Sequence, residues 1–182
     1  MSTFEIYTVK SAPEKSKPVL EALQETFGFI PNIAGAMAGS PTLISSFIGV
    51  FQKAHSGSFT EDQIQAVLLT NAVTNASSWP IAFHTFLALK EGLDPADVEA
   101  IRAGHALKNV KHAALSGLAK NFIEKRGHAG EQALQAFYEA GFNKEQILEL
   151  INVIAASTIT NYVANVANPP LEESFQAHTW SQ

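Results

Sequence analysis

Residues 59–93, FTEDQIQAVLLTNAVTNASSWPIAFHTFLALKEGL, decide the fold of this chain, because they predict a buried helix, a short break and a second helix. Thr60 is suited to cap the first helix, with Gln63 as its capping-box partner three residues later. The apolar residues of this helix lie on nearly every face rather than on one stripe: Ile64, Val67, Leu68, Leu69, Ala72 and Val73. A helix that is apolar all round is buried, so we expect the rest of the chain to pack around it.

The second helix of this stretch starts near Ser77, after a polar break. Pro80 fits a first helical turn, where its missing N–H has no intrahelical partner to lose. From such a start, the side chains of Ser77, Pro80 and His84 share one helical face. His84 is then either a core histidine that is hydrogen-bonded to a neighbour or a residue with a chemical role. The spacing alone favours the core histidine.

This stretch resembles the core of the alkylhydroperoxidase AhpD / carboxymuconolactone decarboxylase family, above all its peroxidase-related members. That family has a Glu upstream of a Cys-x-x-Cys-x-x-x-His motif that opens a helix. Aligned on His84, the two Cys positions fall on Ser77 and Pro80, and the Glu position falls on Gln65. Further positions match before, within and after the motif: Gly28–Asn32, Asn75, Ala88 and Gly92–Leu93. The similarity covers roughly residues 15–168 and implies an all-α, AhpD-like multi-helical domain.

The residues that carry the chemistry of that family are replaced. A dithiol reaction needs two thiols, and this sequence contains no cysteine. A Ser77 hydroxyl forms no disulfide, Pro80 has no functional group, and Gln65 cannot take up a proton as a carboxylate does. Peroxide reduction by the dithiol route is therefore excluded, together with disulfides and Cys-ligated metals.

Two hypotheses about function remain. The first is a small-molecule-binding or structural protein that keeps the family pocket at His84 without the catalysis. The alternative is an enzyme, resembling the decarboxylase branch, in which His84 is the general acid or base acting on a small organic acid or lactone. A Ser77–His84 nucleophile dyad is a third arrangement, but no orienting acid or Gly-x-Ser-x-Gly elbow accompanies it.

The candidate site combines His84 with residues that the family frame places around it. Four polar residues would orient a ligand: Gln65, Asn75, Ser77 and Ser78. Three residues would wall the pocket: Trp79, Pro80 and Phe83. No metal or cofactor is expected. His105, His112 and His128 have no Asp or Glu partner at ligand spacing, and scattered surface histidines are the simpler interpretation.

At 182 residues the chain fits a single domain, 1–182, that buries its own core. It has 12 Lys and Arg against 17 Asp and Glu, a net charge of −5, without a basic patch, so nucleic acid is not an expected partner. No signal-peptide core is evident, and no run reaches the roughly 18 consecutive apolar residues of a membrane helix. The longest candidate, 147–166, is interrupted by polar residues. We expect a cytoplasmic protein.

No segment alternates with period two, so the protein is predicted to be all-α. An extended arm is expected over 1–12 and a tail over 169–182. Besides the central pair, helices are predicted over 14–27, 32–37, 41–56, 95–103, 108–126 and 131–140, followed by a long helix that ends near Val166. Residues 142–147 repeat the pattern of 59–64 with Phe, Gln and Ile identical, which suggests an internally duplicated helical core.

A homo-oligomer is also expected. Helices 64–73 and 147–166 are apolar on most faces, and a two-layer helical domain leaves some of those faces uncovered. Large side chains in the arms add to the uncovered surface: Phe4, Ile6, Tyr7, Phe175 and Trp180. The resemblance implies dimers, trimers or hexamers. Asn161, Tyr162 and Asn165 are polar positions in the last helix that would either meet partners at such an interface or line the pocket.

Overall fold

The chain folds into helices joined by short connections. The computed structural model describes residues 4–181, and over these it has nine α-helices and no strand. The α-helices are α1 (Lys17–Phe27), α2 (Asn32–Met37), α3 (Pro41–Ala54), α4 (Glu61–Thr74), α5 (Ser78–Lys90), α6 (Pro95–Ala103), α7 (Val110–Glu124), α8 (Glu131–Glu139) and α9 (Lys144–Ala167). Two 3-10 segments cover Glu14–Ser16 and Glu173–His178. The all-α prediction is confirmed, and each predicted helix is present with its ends within one turn.

Helix α4 lies at the centre, with nine consecutive buried residues from Ile64 to Ala72. It packs against α5, α6, α7 and α9. One face of α4 joins a core shared with α7, α8 and α9 through Ile64, Val67 and Leu68. The opposite face joins a core shared with α5 and α6 through Ala66, Leu69 and Ala72. The buried helix expected from the sequence is therefore observed, because both of its sides have an apolar partner.

A third core lies beside this centre and holds the candidate site. It combines α1, α2 and α3 with Trp79 of α5 and Ala164 near the end of α9. Leu20, Met37 and Ile44 are fully buried in it. The Ser16 hydroxyl, which is also buried, donates to the Ala38 carbonyl at 2.8 Å and ties the start of α1 to the end of α2.

The break between α4 and α5 is a Schellman turn. Ala76 has a φ of 47°, in the left-handed region that usually requires glycine. The Ser77 N–H donates to the Ala72 carbonyl at 2.9 Å, and the Ala76 N–H donates to the Val73 carbonyl at 3.0 Å. This turn sets the angle at which α5 leaves α4, and α5 carries His84 back over the start of α4.

The N-terminal arm lies on α2. The Tyr7 N–H donates to the Gly35 carbonyl at 3.2 Å, and Ile6 and Tyr7 are half-buried. Phe4 is 53% exposed. Residues 1–3 of the expected arm lie outside the described residues, as does residue 182 of the expected tail.

The C-terminal segment corrects the expectation that its aromatic residues need a second subunit to cover them. Phe175 is only 2% exposed, because it packs on Trp79, Phe83 and Phe86 of the same chain. Trp180 is half-buried against the α5–α6 core and donates its indole N–H to the Arg102 carbonyl at 3.3 Å. The tail is thus part of the folded chain and includes a 3-10 turn that its sequence does not signal.

Helix α9 is the one described helix that is long and apolar enough to cross a membrane by length and composition. It packs against α2, α3, α4, α5 and α7, and Ser157, Thr160 and Asn161 are buried in those contacts. A core helix of a helical protein passes the same composition test, and we interpret α9 in this way.

Helices α4 and α9 begin in the same way. Both starts are capping boxes, Thr60 with Gln63 and Asn143 with Gln146. The rings of Phe59 and Phe142, which precede them, lie edge to face with centroids 5.8 Å apart. The capping box predicted at Thr60 is confirmed. The internal duplication stays a prediction.

The close approach of the arm to α2 predicts that Gly35→Ala destabilises the protein. A Cβ at Gly35 would lie 2.8 Å from Ile6 Cγ2 and 2.9 Å from the Tyr7 carbonyl oxygen, so the arm must shift. We expect a loss of about 1–3 kcal/mol in the free energy of unfolding by urea titration, and faster tryptic cleavage after Lys10.

Gly49→Ala is the matched control. Gly49 lies in α3 and is exposed, and a Cβ there meets nothing within 4 Å. The same substitution should raise stability by about 0.5–1 kcal/mol, because alanine restricts the unfolded chain more than glycine does. If both variants change the free energy of unfolding equally, the close approach of the arm to Gly35 does not contribute to stability.

Candidate functional site

A hydrogen bond between two buried side chains forms the centre of the site. His84 Nδ1 lies 3.0 Å from Gln65 Oε1, and the two residues are 4% and 3% exposed. Because Gln65 Oε1 is an acceptor, the neutral imidazole donates its Nδ1–H. The other nitrogen, Nε2, then keeps its lone pair. Gln65 in α4 therefore sets both the orientation and the tautomer of His84 in α5.

The electrostatics of the site keep His84 neutral. Burial lowers the pKa of His84 from 6.5 to about 3, and positive charge on the nearby His55 contributes a smaller lowering. Burial disfavours the charged ring because it removes water without supplying an opposite charge. At neutral pH this side chain is a hydrogen-bonding group and not a cation.

A small cavity of about 50 Å³ lies against His84. Five aromatic rings line it: Phe27, Phe47, Phe51, Trp79 and Phe83. Trp79 and Phe83 stack with centroids 5.0 Å apart, and the Phe83 ring meets the His84 ring edge to face at 5.2 Å. Thr160 also lines the cavity, but its hydroxyl donates to the Ala156 carbonyl at 3.2 Å. The cavity is therefore apolar apart from the imidazole.

Ser77 is buried and bonded elsewhere. Its hydroxyl donates to the Asn161 carbonyl of α9 at 3.2 Å. This bond fixes the start of α5 on α9 and uses the only proton that the hydroxyl has. The geometry gives no support to a Ser77–His84 nucleophile pair, since His84 is bonded to Gln65 instead.

The other predicted site residues are divided between the cavity and its surroundings. Trp79 and Phe83 line the cavity, as a pocket at His84 requires. Pro80 is buried in the first turn of α5. Ser78 is exposed, and Asn75 is half-buried and donates its side-chain amide to the Asn71 carbonyl at 2.8 Å. The roles of these residues toward a ligand stay predictions.

The three polar positions of α9 have different surroundings. Asn161 is buried and donates its amide to the Ser157 hydroxyl at 3.3 Å. Asn165 donates its amide to the Asn75 carbonyl at 3.0 Å and so helps to hold the break before α5. Tyr162 is 60% exposed.

Two residues of the C-terminal segment belong to the site although the sequence does not indicate them. Glu172 Oε2 accepts from the Trp79 indole N–H at 2.9 Å, and Phe175 contacts Phe83 with centroids 5.2 Å apart. These contacts join residues that are about 90 positions apart in sequence. Periodicity, capping signals and motifs involve residues that are close in sequence, so they do not predict such a contact.

His55 lies at the edge of the cavity and was also not predicted. Its ring centroid is 4.3 Å from that of Phe51, which lines the cavity. Its Nδ1 lies 3.0 and 3.1 Å from the two carboxylate oxygens of Glu61, at the start of α4. The charge that His55 carries when it is protonated adds to the lowering of the His84 pKa.

The remaining histidines do not gather. His112 is buried and pairs with Asp62 at 2.9 Å, whereas His105 and His128 are exposed. Within residues 4–181, no group of three or more His, Asp or Glu side chains is placed to hold a metal ion.

The fold has several counterparts among solved structures. A Cys-to-Ala variant of the debrominase Bmp8, in complex with 2,3,4-tribromopyrrole, is 16% identical, with a TM-score of 0.80 over 98% of this chain and 96% of that one. An AhpD-core peroxidase-related protein from Ralstonia eutropha is 15% identical, with a TM-score of 0.80 over 96% of both chains. A peroxidase-related protein from a Silicibacter species is 16% identical, with a TM-score of 0.78 over 97% and 95%. No family model and no curated protein sequence matches the chain.

Burial of neutral His84 predicts that stability falls with pH below 6.5. The unfolded chain takes up a proton near pH 6.5, whereas the folded chain does so only near pH 3. Between these values the unfolded state binds more protons, so acid favours unfolding by up to about 1.4 kcal/mol per pH unit. Urea titrations from pH 7.5 to 4 should show this extra slope in the wild-type protein and not in His84→Gln.

His105→Gln is the control for this measurement, because His105 is exposed. The wild-type slope should persist in that variant. Parallel curves for wild type and His84→Gln over the whole range would show that His84 is not held neutral.

Proposed function

We propose that this chain, which has the AhpD-like fold, is a binding protein that holds a small, neutral aromatic molecule in the cavity at His84. The observation that carries the proposal is a neutral imidazole that is anchored on Gln65 through one nitrogen and belongs to a residue that lines an aromatic cavity. The free Nε2 lone pair would accept one hydrogen bond from the ligand.

The cavity supports a ligand of this class by its lining. A cavity of about 150 Å³ holds benzene, whereas this one encloses about 50 Å³, so only part of a small ring would lie inside it. Aromatic walls favour edge-to-face and offset contacts with another ring. Neither Lys nor Arg lines the cavity, and a carboxylate would be buried there without an opposite charge, which is costly.

The structural counterpart Bmp8 provides independent support for the ligand class. That protein is described in complex with 2,3,4-tribromopyrrole, a planar ring that combines an apolar body with an N–H group. A ring with one N–H or O–H donor would find a hydrogen-bond acceptor and aromatic walls in the present cavity.

Binding fits the site better than catalysis. A general base is efficient when its pKa lies near the working pH, and the pKa of His84 is about 3. The sequence has no thiol, and the Ser77 hydroxyl is already bonded to Asn161. The alternative function, in which His84 acts as an acid or base on an organic acid or lactone, needs a histidine with a pKa near neutral pH, and the pKa of His84 lies well below that.

Phenol is a direct probe of the proposal, with benzene as the matched ligand that lacks the O–H donor. Calorimetry should show saturable binding of phenol at one site per chain and a weaker affinity for benzene. One hydrogen bond is worth about 0.5–1.5 kcal/mol, so phenol should be favoured roughly 2–10-fold.

The variant His84→Phe keeps a ring in the same place but removes the acceptor. The preference for phenol over benzene should disappear in it, while benzene still binds. If phenol does not bind the wild-type chain, or if His84→Phe keeps the preference, the proposed function is wrong.

We also propose that the chain forms a homo-oligomer through α9. Exposed apolar side chains follow one face of that helix over its whole length: Leu148, Ile151, Tyr162 and Val166. Beside its C-terminal half is a groove of about 530 Å³ that Phe4, Tyr7 and Leu43 also line. One patch thus carries both exposed apolar side chains and a groove, and a two-fold interface would bring this patch of two copies together. A second copy of the chain is the occupant we propose.

Light scattering after size exclusion tests the oligomer. The wild-type chain should elute at a multiple of 19.6 kDa, and Ile151→Lys or Tyr162→Lys should shift it toward the monomer, because a buried unpaired charge opposes association. Val110→Lys is the control, since Val110 is 70% exposed on α7 and does not line this groove. A wild-type monomer at micromolar concentration contradicts the proposal.

A further inference from the structure

The walls of the His84 cavity are supported from behind by the C-terminal strap, which we define as residues 169–179. We propose that Glu172 in this strap is a positioning residue that fixes the walls of the ligand cavity. This inference rests on the proposed function for what the cavity holds, whereas the contacts that carry it are independent of any ligand.

Glu172 uses both carboxylate oxygens on two different walls. Oε2 accepts from the Trp79 indole N–H at 2.9 Å, and Oε1 accepts from the Asn32 backbone N–H at 2.7 Å. Trp79 is itself a wall of the cavity, and Asn32 starts α2, whose residues Ile33 and Ala34 line it from another side. One carboxylate therefore holds α5 and α2 at a fixed separation across the cavity.

Phe175 completes the support. It is 2% exposed, and its ring meets Phe83 and Trp79 nearly at right angles, with centroids 5.2 and 6.4 Å away. Edge-to-face contacts of this kind restrict ring orientation as well as burying surface. The strap thus contacts the stacked side chains of Trp79 and Phe83 through the Phe175 ring, and it bonds to Trp79 through the Glu172 carboxylate.

The two ends of the strap are anchored separately. Near the site, the Asn32 side-chain amide donates to the Pro170 carbonyl at 2.9 Å. At the far end, the Arg102 guanidinium donates to the His178 and Thr179 carbonyls, each at 3.1 Å. A change at Arg102 therefore loosens only the far end of the strap and leaves the bonds of Glu172 to Trp79 and Asn32 in place. Such a change separates a general loss of stability from a loss of wall position.

Glutamine cannot replace Glu172 in this role. Both partners of Glu172 are N–H donors, and a glutamine side chain has one acceptor oxygen and one amide group that is itself a donor. In Glu172→Gln one of the two bonds is therefore lost, and the Trp79 indole or α2 gains freedom. The cavity then binds a small ring less well, because its wall must be ordered on binding.

Phenol binding and Trp79 fluorescence test the proposal, with Trp180→Phe as the background so that Trp79 is the single tryptophan. Glu172→Gln should raise the Kd for phenol roughly 2–10-fold, as expected for one hydrogen bond, and shift the Trp79 emission to longer wavelength. In a separate Trp79→Phe background, which lacks the indole N–H, the same change should affect the Kd less.

Two controls separate positioning from stability. Glu173→Gln removes the adjacent carboxylate, which is exposed, and should change neither quantity. Arg102→Gln should lower the Tm while leaving the Kd for phenol and the Trp79 emission unchanged.

The proposal is overturned if Glu172→Gln lowers the Tm but leaves both the Kd and the Trp79 emission at their starting values. If the background protein does not bind phenol at all, the proposed function fails, and the Trp79 emission alone then decides about Glu172. A shift in that emission supports the positioning role, and an unchanged emission rejects it.

Discussion

The burial of α4 on every side is the constraint on which the rest of the structure depends. Nine consecutive residues of this helix are shielded from water, so α5, α6, α7 and α9 must each present an apolar surface to it. A polar side chain buried in such a helix is costly unless it has a hydrogen-bond partner. Gln65 is such a side chain, and His84 is its partner. The candidate site thus follows from the way the central helix is covered.

The ends of the helices could be predicted from the sequence because local signals set them. Asp94 followed by Pro95 predicts a helix over 95–103, and the structure has that helix, with Asp94 Oδ1 accepting from the Ala96 N–H at 2.8 Å. Capping, proline and glycine signals act within a few residues. A single sequence therefore predicts the ends of helices even where it does not predict the tertiary contacts.

The surroundings of the site could be predicted only in part. The pairing of Gln65 with His84 was within reach, because the resemblance aligns both positions on one motif. The contacts of Glu172 and Phe175 were not, since they join the tail to a helix about 90 residues earlier. From the sequence, an aromatic residue in a tail has the same appearance whether its own chain or a second subunit covers it. The expectation that Phe175 needs a second subunit to cover it was wrong for this reason.

The residue type at position 65 links the fold to the proposed function. A carboxylate there, as in the family that the sequence resembles, would favour the charged imidazole through its opposite charge. The amide of Gln65 provides a hydrogen bond without that charge, so the effect of burial prevails and His84 stays neutral. A neutral imidazole beside aromatic walls can accept a hydrogen bond from a neutral donor, but it takes up a proton poorly at neutral pH. The absence of thiols and the amide at position 65 therefore both favour the proposed binding function over proton or thiol chemistry.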